Sequence, residues 1–401
     1  MQSTEEKNKI PRFPKDRDFF LDFEENIYQV IGYIHLPDRV LCAKKYQKIS
    51  EPNTNTAEFL WTSRTTKNQY RRIIKCYSAE DVRNSMETDE QFVQKSALYG
   101  IPLLYFPKEK IKTYLVPITK LSRLYELVSE KKVEALKDLR SGQLIAMNAG
   151  SIIIDKANLE LGSIGITGSI LLEMDHDKSD IDLLVYGIKA CRAVLEWAKQ
   201  LPMESKGLRK LNYSEILQKT QEYCIKYNIS EKEALEIIKR KETFIFYNKI
   251  PVSIKFNPTD TEISNNPFAI INSETTRFES IGTIKLLAEI IETDWQFFYP
   301  SLIFIKTIDV LESHHSANLE SKNNENSSSY YQMPITRLVL FEQDLSGFFE
   351  RGNKIEIYGL WQVALNVPDE TKVFPQMGTK DTGQIVIGTK EMQGKEYIRI
   401  I

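Results

Sequence analysis

The segment Ser163–Gly187, SIGITGSILLEMDHDKSDIDLLVYG, places the strongest constraint on what this chain can fold into. Its hydrophobic pattern predicts a strand, a turn, a short helix, a polar loop and a second strand in close succession. These elements are expected at 164–167, 168–169, 170–174, 175–179 and 180–187. Such an alternation of strands and helices indicates an α/β core.

Two acidic residues mark the second of these strands. Asp180 and Asp182 stand two positions apart, so both side chains point to one face, with Cα atoms roughly 6.5 Å apart. Paired carboxylates with little nitrogen or sulfur nearby select Mg²⁺ or Mn²⁺, which neutralise the phosphates of a nucleoside triphosphate. Gly168 lets the backbone approach a ligand closely, and the Ser169 hydroxyl can donate to a phosphate oxygen. The segment therefore predicts a site for a metal ion and phosphate.

This arrangement resembles the signature of the polymerase-β-like nucleotidyltransferase superfamily. That signature has an apolar residue, Gly, and Gly or Ser, followed after about ten residues by Asp, an apolar residue, and Asp or Glu. Thr167 is the soft match, whereas Gly168, Ser169 and the run Asp180-Ile-Asp-Leu183 fit. More loosely, the GYIHLPDRV stretch at 32–40 and the strands after the motif are similar to archaeal proteins described only as predicted nucleotidyltransferases.

The resemblance implies an activity. It implies transfer of a nucleoside monophosphate from a triphosphate to an acceptor hydroxyl, with pyrophosphate as the leaving group. Asp180 and Asp182 would hold Mg²⁺ or Mn²⁺, and Gly168 and Ser169 would contact the phosphates. We expect a nucleic-acid end, RNA or DNA, as the acceptor. The alternatives are a protein or small-molecule acceptor, and a catalytically silent module that binds nucleotide or nucleic acid.

One part of the superfamily's pattern is missing from the sequence. The superfamily has a third carboxylate on a later strand, and the corresponding strand here, residues 251–256, contains no acid. Its alternating pattern places Ser253 and Lys255 where an acidic side chain would face the site.

Three explanations of the missing acid remain open. A neighbouring residue could supply it, the candidates being Glu242, Asp260 and Glu262. Lys255 could instead replace one metal electrostatically and hold phosphate. The third possibility is a site that binds nucleotide without turnover.

The distribution of charge is uneven along the chain. The net charge is −2, yet residues 206–256 contain eleven Lys and Arg residues against six Glu and no Asp. Two basic clusters stand out, namely Lys206, Arg209 and Lys210, and then Lys239, Arg240 and Lys241. Arg240, Lys241 and Lys255 are the candidates for contact with nucleotide. A solvated helix face is the alternative, because Glu residues alternate with the basic ones.

The rest of the chain divides around this core. We expect a disordered leader at 1–17, an N-terminal α+β domain at 18–120, the nucleotidyltransferase domain at 121–272 and a β domain at 273–401. The nucleotidyltransferase domain should contain a mixed sheet, including a hairpin of FIFY (244–247) and IPVSIKF (250–256) across Asn248-Lys249. The polar loop 175–178 is expected to serve mainly as a connection.

The C-terminal part is predicted to be a small, OB-like β barrel. Six strand-like runs follow residue 276, and the Asn- and Ser-rich stretch 313–332 interrupts them as a predicted disordered loop. His314 and His315 lie in that stretch without a third metal ligand nearby, so we expect a solvated pair. The aromatic residues of this part could stack on single-stranded ends, but we favour core positions for most of them. They are Trp295, Phe297, Phe298, Tyr299, Tyr358 and Trp361.

Composition excludes several classes of protein. Hydrophobic residues make up 42% and charged residues 27% of the 401 positions, which is typical of a folded globular chain. No apolar stretch is long enough to cross a membrane, and the first residues lack a secretory signal, so we expect a cytoplasmic protein. The four cysteines are scattered, which indicates neither a zinc site nor a disulfide framework; they are Cys42, Cys76, Cys191 and Cys224.

Overall fold

The computed structural model is a mixed α/β protein built around three sheets. It describes residues 10–11, 13–49, 59–74, 79–96, 99–129, 141–177, 179–227, 229–241, 243–265, 277–315, 334–365, 383–389, 392 and 395–401. Within these ranges, no helix is sufficiently long and apolar to cross a bilayer.

The first sheet has eight strands. They are β1 (Phe19–Asp22), β2 (Ile27–Val30), β3 (Arg39–Ile49), β4 (Trp61–Thr62), β5 (Gln69–Arg72), β6 (Val93–Lys95), β7 (Pro102–Pro107) and β8 (Ile111–Leu115). The order is β4-β5-β3-β2-β1-β8, and β7 pairs with both β3 and β6. Helix α1 (Ala79–Met86) lies between β5 and β6 in the chain. A stack of aromatic rings, including Phe20 on Tyr28 with centroids 5.1 Å apart, fills the interior of this sheet.

The central sheet contains the predicted motif. Its strands are β9 (Ile164–Ile166), β10 (Ile181–Tyr186), β11 (Leu208–Lys210), β12 (Phe244–Tyr247) and β13 (Ile250–Asn257). Their order is β11-β12-β13-β10-β9, with β10 parallel to β13 and the other pairs antiparallel. The predicted hairpin of β12 and β13 is confirmed, and Asn248 turns it with a φ of 55°.

Seven further helices lie within the described parts of the chain. They are α2 (Pro117–Ser129), α3 (Ser141–Lys156), α4 (Gly168–Leu171), α5 (Ile188–Ala198), α6 (Tyr213–Tyr227), α7 (Glu231–Arg240) and α8 (Asp260–Ser264). The capping box predicted at the start of α7 is present, because the Ser230 hydroxyl accepts from the Glu233 N–H and the Glu233 carboxylate accepts from the Ser230 N–H.

The third sheet contains the six strands predicted after residue 276. They are β14 (Arg277–Glu292), β15 (Ser301–His315), β16 (Ile335–Leu340), β17 (Lys354–Leu365), β18 (Gly383–Ile387) and β19 (Tyr397–Ile400). Pairing follows the order β14-β15-β16-β18-β17-β19, and β14 also pairs with β17. Among the described strands of this sheet, only β16 and β18 run parallel. Bulges interrupt the register of the long strand β14, including one at Gly282, and bend it so that it pairs with β15 and β17.

Two sequence expectations need correction. His314 and His315 belong to β15 and not to a loop, because the ladder with β14 continues to Gly282. The Nε2 atom of His314 lies 2.6 Å from Glu312, and the ring of His315 packs against Trp361. The rest of the expected loop, 316–332, lies outside the described residues.

The second correction concerns the leader. Residues 13–17 were expected to be disordered, but Asp16 and Arg17 are buried, with 3% and 7% exposure. Their backbone atoms bind the central sheet, as described below. One hydrophobic cluster extends from the first sheet through the central one, so this segment lies at the seam between two packed layers.

Candidate functional site

The Gly168 turn holds Asp182 in place. Gly168 has a φ of +66°, and a β-carbon at this position would lie 2.3 Å from the Oδ2 atom of Asp182. The Thr167 N–H also donates to the Asp182 carbonyl at 3.0 Å, where β9 and β10 pair. Only glycine fits both the backbone angle and the space, so the turn and the carboxylate form one unit.

The two predicted carboxylates lie near each other at the start of β10. Asp180 immediately precedes the strand and is exposed, whereas Asp182 lies within it and is half-buried. The pKa of Asp180 is raised, because the surrounding protein displaces water from its carboxylate and because Asp182 places a second negative charge beside it. Two adjacent carboxylates that repel each other at a solvent-accessible edge are chemically suited to a cation.

Strand β13 supplies the other half of this face. In the parallel ladder Ser253 stands opposite Asp182, and Lys255 stands opposite Leu184. Burial and the positive charge of Arg17 lower the pKa of Lys255 to about 8, although the negative charges of Asp344, Asp182 and Asp16 act against that shift. Lys255 therefore contributes a cation to the face that carries the carboxylates, as its position in the alternating pattern predicted.

Two of the three acids proposed as a third carboxylate have other partners. Glu262 caps two helices, accepting from the Thr259 N–H of its own helix and from the Ile188 N–H of α5. Asp260 is exposed and pairs with Lys15. Glu242 lies outside the described residues. Among the residues that the structure describes, no group of three or more His, Cys, Asp and Glu side chains is arranged to hold a metal.

The first sheet covers the central face through the segment before β1. The Thr167 hydroxyl donates to the Arg17 carbonyl, and the Asn257 amide donates to the Asp16 carbonyl, both at 2.7 Å. Arg17 has a φ of 64° and its Nε atom lies 3.4 Å from the Asp16 carboxylate. Burial raises the pKa of Asp16 to about 6, against the opposing charges of Arg17, Lys255 and Lys45.

Lys45 is a member of the site that the sequence analysis missed. It is 5% exposed, and its Nζ atom donates to Gln29 at 3.2 Å. Burial lowers the pKa of Lys45 to about 7, while the charges of Asp182 and Asp180 act in the opposite direction. Arg72, on the neighbouring strand, acts electrostatically on Lys45 and on Asp180. The first sheet thus brings basic groups to the two carboxylates from more than 100 residues away in the chain.

The polar loop after α4 has a structural role at Asp175. This residue is 4% exposed, and its carboxylate lies 2.7 Å from the Arg64 guanidinium. Arg64 also pairs with Glu173 at 2.8 Å, and the His176 ring packs 5.1 Å from that of Trp61. Lys178 lies outside the described residues. The loop that precedes Asp180 is therefore held against strand β4 and against the turn that follows β4.

Two arginines of the basic clusters at 206–241 are paired with acidic side chains. Arg209 makes a bidentate pair with Glu215, with both distances 2.8 Å, and Arg240 pairs with Glu236 at 2.7 Å. Burial lowers the pKa of Lys241 to about 7, with Asp344 opposing and Lys255 reinforcing the shift. Lys241 is thus electrostatically coupled to Lys255, whereas Arg240 is engaged on its own helix.

The aromatic residues of the third sheet are mostly core residues, as favoured from the sequence. Trp295, Phe298 and Trp361 are buried, with exposures of 8%, 0% and 4%. The remaining three pack against the same core while keeping some exposure; they are Phe297, Tyr299 and Tyr358.

Comparisons of the chain with protein-family models, with curated proteins and with solved structures found no match. The site must therefore be interpreted from its own chemistry. That chemistry is a pair of carboxylates held against a glycine turn, with Lys45, Lys255 and Arg17 around them.

Proposed function

We propose that this protein is a metal-dependent nucleotidyltransferase of the polymerase-β-like type. The observation that carries the proposal is the contact of the Gly168 turn with Asp182, on the face that also presents Asp180. A glycine-serine turn beside two carboxylates is suited to a phosphate chain that is bridged by a divalent ion. The parallel pair β10 and β13, with β9 antiparallel at the edge, supports the same fold.

The carboxylate pair fits one magnesium or manganese ion. Asp180 and Asp182 supply hard oxygen ligands, and the raised pKa of Asp180 is what an added positive charge would relieve. The ion, when bound, would neutralise the triphosphate and draw it to this edge of the sheet. Phosphate oxygens and water would complete its coordination, because Mg²⁺ usually keeps several such ligands.

Basic residues take the place of the missing third carboxylate in this proposal. Lys255 extends from β13 on the side of Asp182, and Lys45 reaches the same region from β3. Their charges would stabilise the negative charge that develops on the β and γ phosphates as pyrophosphate departs. Arg17 adds positive charge next to Lys255, which favours a polyanion over a second metal ion at this position.

The reaction follows from these positions. The acceptor hydroxyl oxygen attacks the α-phosphorus, a new P–O bond forms, and the bond to the bridging oxygen of the β-phosphate breaks. The Ser169 hydroxyl and nearby backbone orient the departing pyrophosphate, and the hydroxyl proton is lost to water at the exposed edge beside Asp180. The main contributions of the protein are orientation and electrostatic stabilisation.

The third sheet supports a nucleic-acid acceptor. Its pairing order β14-β15-β16-β18-β17 returns to β14, and a parallel pair joins the third and fifth strands, as expected for a small OB-like barrel. Barrels of this kind bind single-stranded nucleic acid in many proteins. We therefore propose an RNA or DNA end as the acceptor and a cytoplasmic location for the enzyme.

The proposal is tested by incubating the purified full-length chain with α-labelled nucleoside triphosphates, Mg²⁺ or Mn²⁺, and RNA or DNA oligonucleotides. Label should pass to the acceptor with release of pyrophosphate, and the double variant Asp180→Asn/Asp182→Asn should lose this activity while remaining folded. Consumption of no triphosphate with any acceptor, including proteins, would exclude catalysis.

A second candidate function is supported by one observation. Asp260 and Glu262 are occupied elsewhere, so the described residues offer two carboxylates where the superfamily has three. A nucleotide-binding module without turnover would need only these two. It should bind triphosphate with Mg²⁺ in equilibrium dialysis and release no pyrophosphate.

A further inference from the structure

A cavity of about 650 Å³ lies between α7 and the third sheet, apart from the carboxylate site. Its apolar wall includes Ile237 from the helix, Leu345 and Phe348 from the loop before β17, and Ile398 from β19. All four of these side chains are buried within one hydrophobic cluster. A volume of this size accommodates a small organic molecule.

Two polar atoms in the wall of the cavity lack partners. The Glu396 carboxylate accepts from the Gly388 N–H at 2.8 Å through Oε1, but its Oε2 atom is buried and has no hydrogen-bond partner among the described residues. The same is true of the hydroxyl of Thr389, a residue that is 2% exposed. Buried polar atoms are almost always satisfied in native proteins, so these two indicate a missing partner.

Several charged groups of the wall are paired with other side chains. Arg240 binds Glu236, and Arg399 binds Glu233, each at 2.7 Å. Lys226 binds Asp344 at 2.9 Å. A charged ligand would have to compete with these ion pairs for its counter-charge. An uncharged ligand with one hydrogen-bond donor would supply the missing hydrogen bond in the wall at the lowest desolvation cost.

Burial also keeps Glu396 from being a strong anion. It raises the pKa of this carboxyl to about 7, and Glu342 adds to the shift, while the backbone N–H groups of Gly388 and Thr389 and the charge of Arg83 oppose it. A carboxyl group with a pKa raised in this way can accept a hydrogen bond from an N–H or O–H donor without a positively charged group beside it.

We propose that this cavity binds a neutral, largely apolar aromatic heterocycle, whose single N–H or O–H group donates to Oε2 of Glu396 beside the Thr389 hydroxyl. The ring lies against Ile237, Leu345, Phe348 and Ile398. This site does not depend on nucleotidyl transfer, because its residues are separate from Asp180 and Asp182.

The test uses indole and 1-methylindole as probes, since they share an apolar body and differ in the N–H donor. Saturation-transfer NMR and calorimetry on the full-length protein should detect binding of indole. The affinity for 1-methylindole should be at least tenfold lower. Glu396→Gln should weaken indole at least tenfold, because the amide group presents a donor where Oε2 accepts. Glu231→Gln is the matched control. It makes the same chemical change at an exposed position of α7 and should leave the binding of indole unchanged.

A second variant keeps the test decisive if Glu396→Gln fails to fold. Thr389→Val removes the hydroxyl with little change of shape, and it should weaken indole severalfold while the circular dichroism spectrum stays the same. Equal binding of the two probes, no binding of indole, or full binding by both wall variants would overturn the proposal.

Discussion

A β-carbon on Gly168 would lie 2.3 Å from the Oδ2 atom of Asp182. The glycine thus determines how closely the turn approaches the carboxylate, and the two residues are separated by only 14 positions. The proposed function requires this proximity, because a bridging ion would contact both the carboxylate and a phosphate at the turn.

Gly168→Ala should damage both the fold and the site. The positive φ and the overlap with Asp182 together should lower the free energy of unfolding by at least about 2 kcal/mol, and affinity for Mg²⁺ with triphosphate should fall. Urea denaturation and equilibrium dialysis measure the two effects. Gly162→Ala is the control, since a β-carbon there meets nothing within 4 Å. If the two variants had equal free energies of unfolding and equal affinities, the turn would not be constrained by its contact with Asp182.

Triphosphate affinity should depend on pH through the two buried lysines. Their lowered pKa values, about 7 for Lys45 and about 8 for Lys255, mean that both are charged at pH 6 and largely neutral at pH 9.5. The dissociation constant of a non-hydrolysable triphosphate analogue should therefore rise about tenfold or more over this range.

The variant Lys255→Arg separates the titration of Lys255 from the titration of other groups in the protein. Arginine remains charged throughout, so the pH dependence of the dissociation constant should become shallower. Lys232→Arg, on the exposed face of α7, should keep the pH dependence of the original protein. A dissociation constant that is constant with pH in the unmodified protein would remove the lysines from the phosphate site.

The loop before Asp180 should depend on Arg64. Arg64→Met removes the ion pair with the buried Asp175 and the one with Glu173, so the free energy of unfolding should fall by about 2 kcal/mol. Lys67→Met, on the exposed part of the same turn, should change it little. A double-mutant cycle with Asp175→Asn measures the coupling. A coupling energy near zero would mean that the loop is held by other contacts.

Much of the central sheet could be predicted from the sequence because its signals are local. The hairpin of β12 and β13, the capping box of α7 and the spacing of Asp180 and Asp182 all depend on residues within a few positions of one another. Local hydrogen bonding and alternation decide such elements before any tertiary contact forms.

The role of Glu262 could also have been recognised. Thr259 and Glu262 form a capping box, T-x-x-E, whose side chains are committed to the start of α8. An acid in that position is a poor candidate for a third metal ligand. The T-x-x-E pattern itself therefore assigns Glu262 to a helix cap.

The contribution of the first sheet could not be predicted. Lys45 lies in a strand that mixes apolar and basic residues, and its neighbours in the chain do not indicate that it lies near Asp182, which is 137 positions away. The same holds for the segment at Asp16, whose carbonyl accepts from Asn257. Such contacts depend on how two sheets pack, and periodicity along one strand carries no information about that packing. The only local signal was the presence of adjacent lysines inside a buried strand.

The most direct test of the account is the release of pyrophosphate from each of the four nucleoside triphosphates, with Mg²⁺ or Mn²⁺ and RNA, DNA or protein acceptors. The account predicts metal-dependent release coupled to labelling of an acceptor, and loss of both in a folded Asp180→Asn/Asp182→Asn variant. Activity that survives in this variant, or no release under any of these conditions, would contradict it.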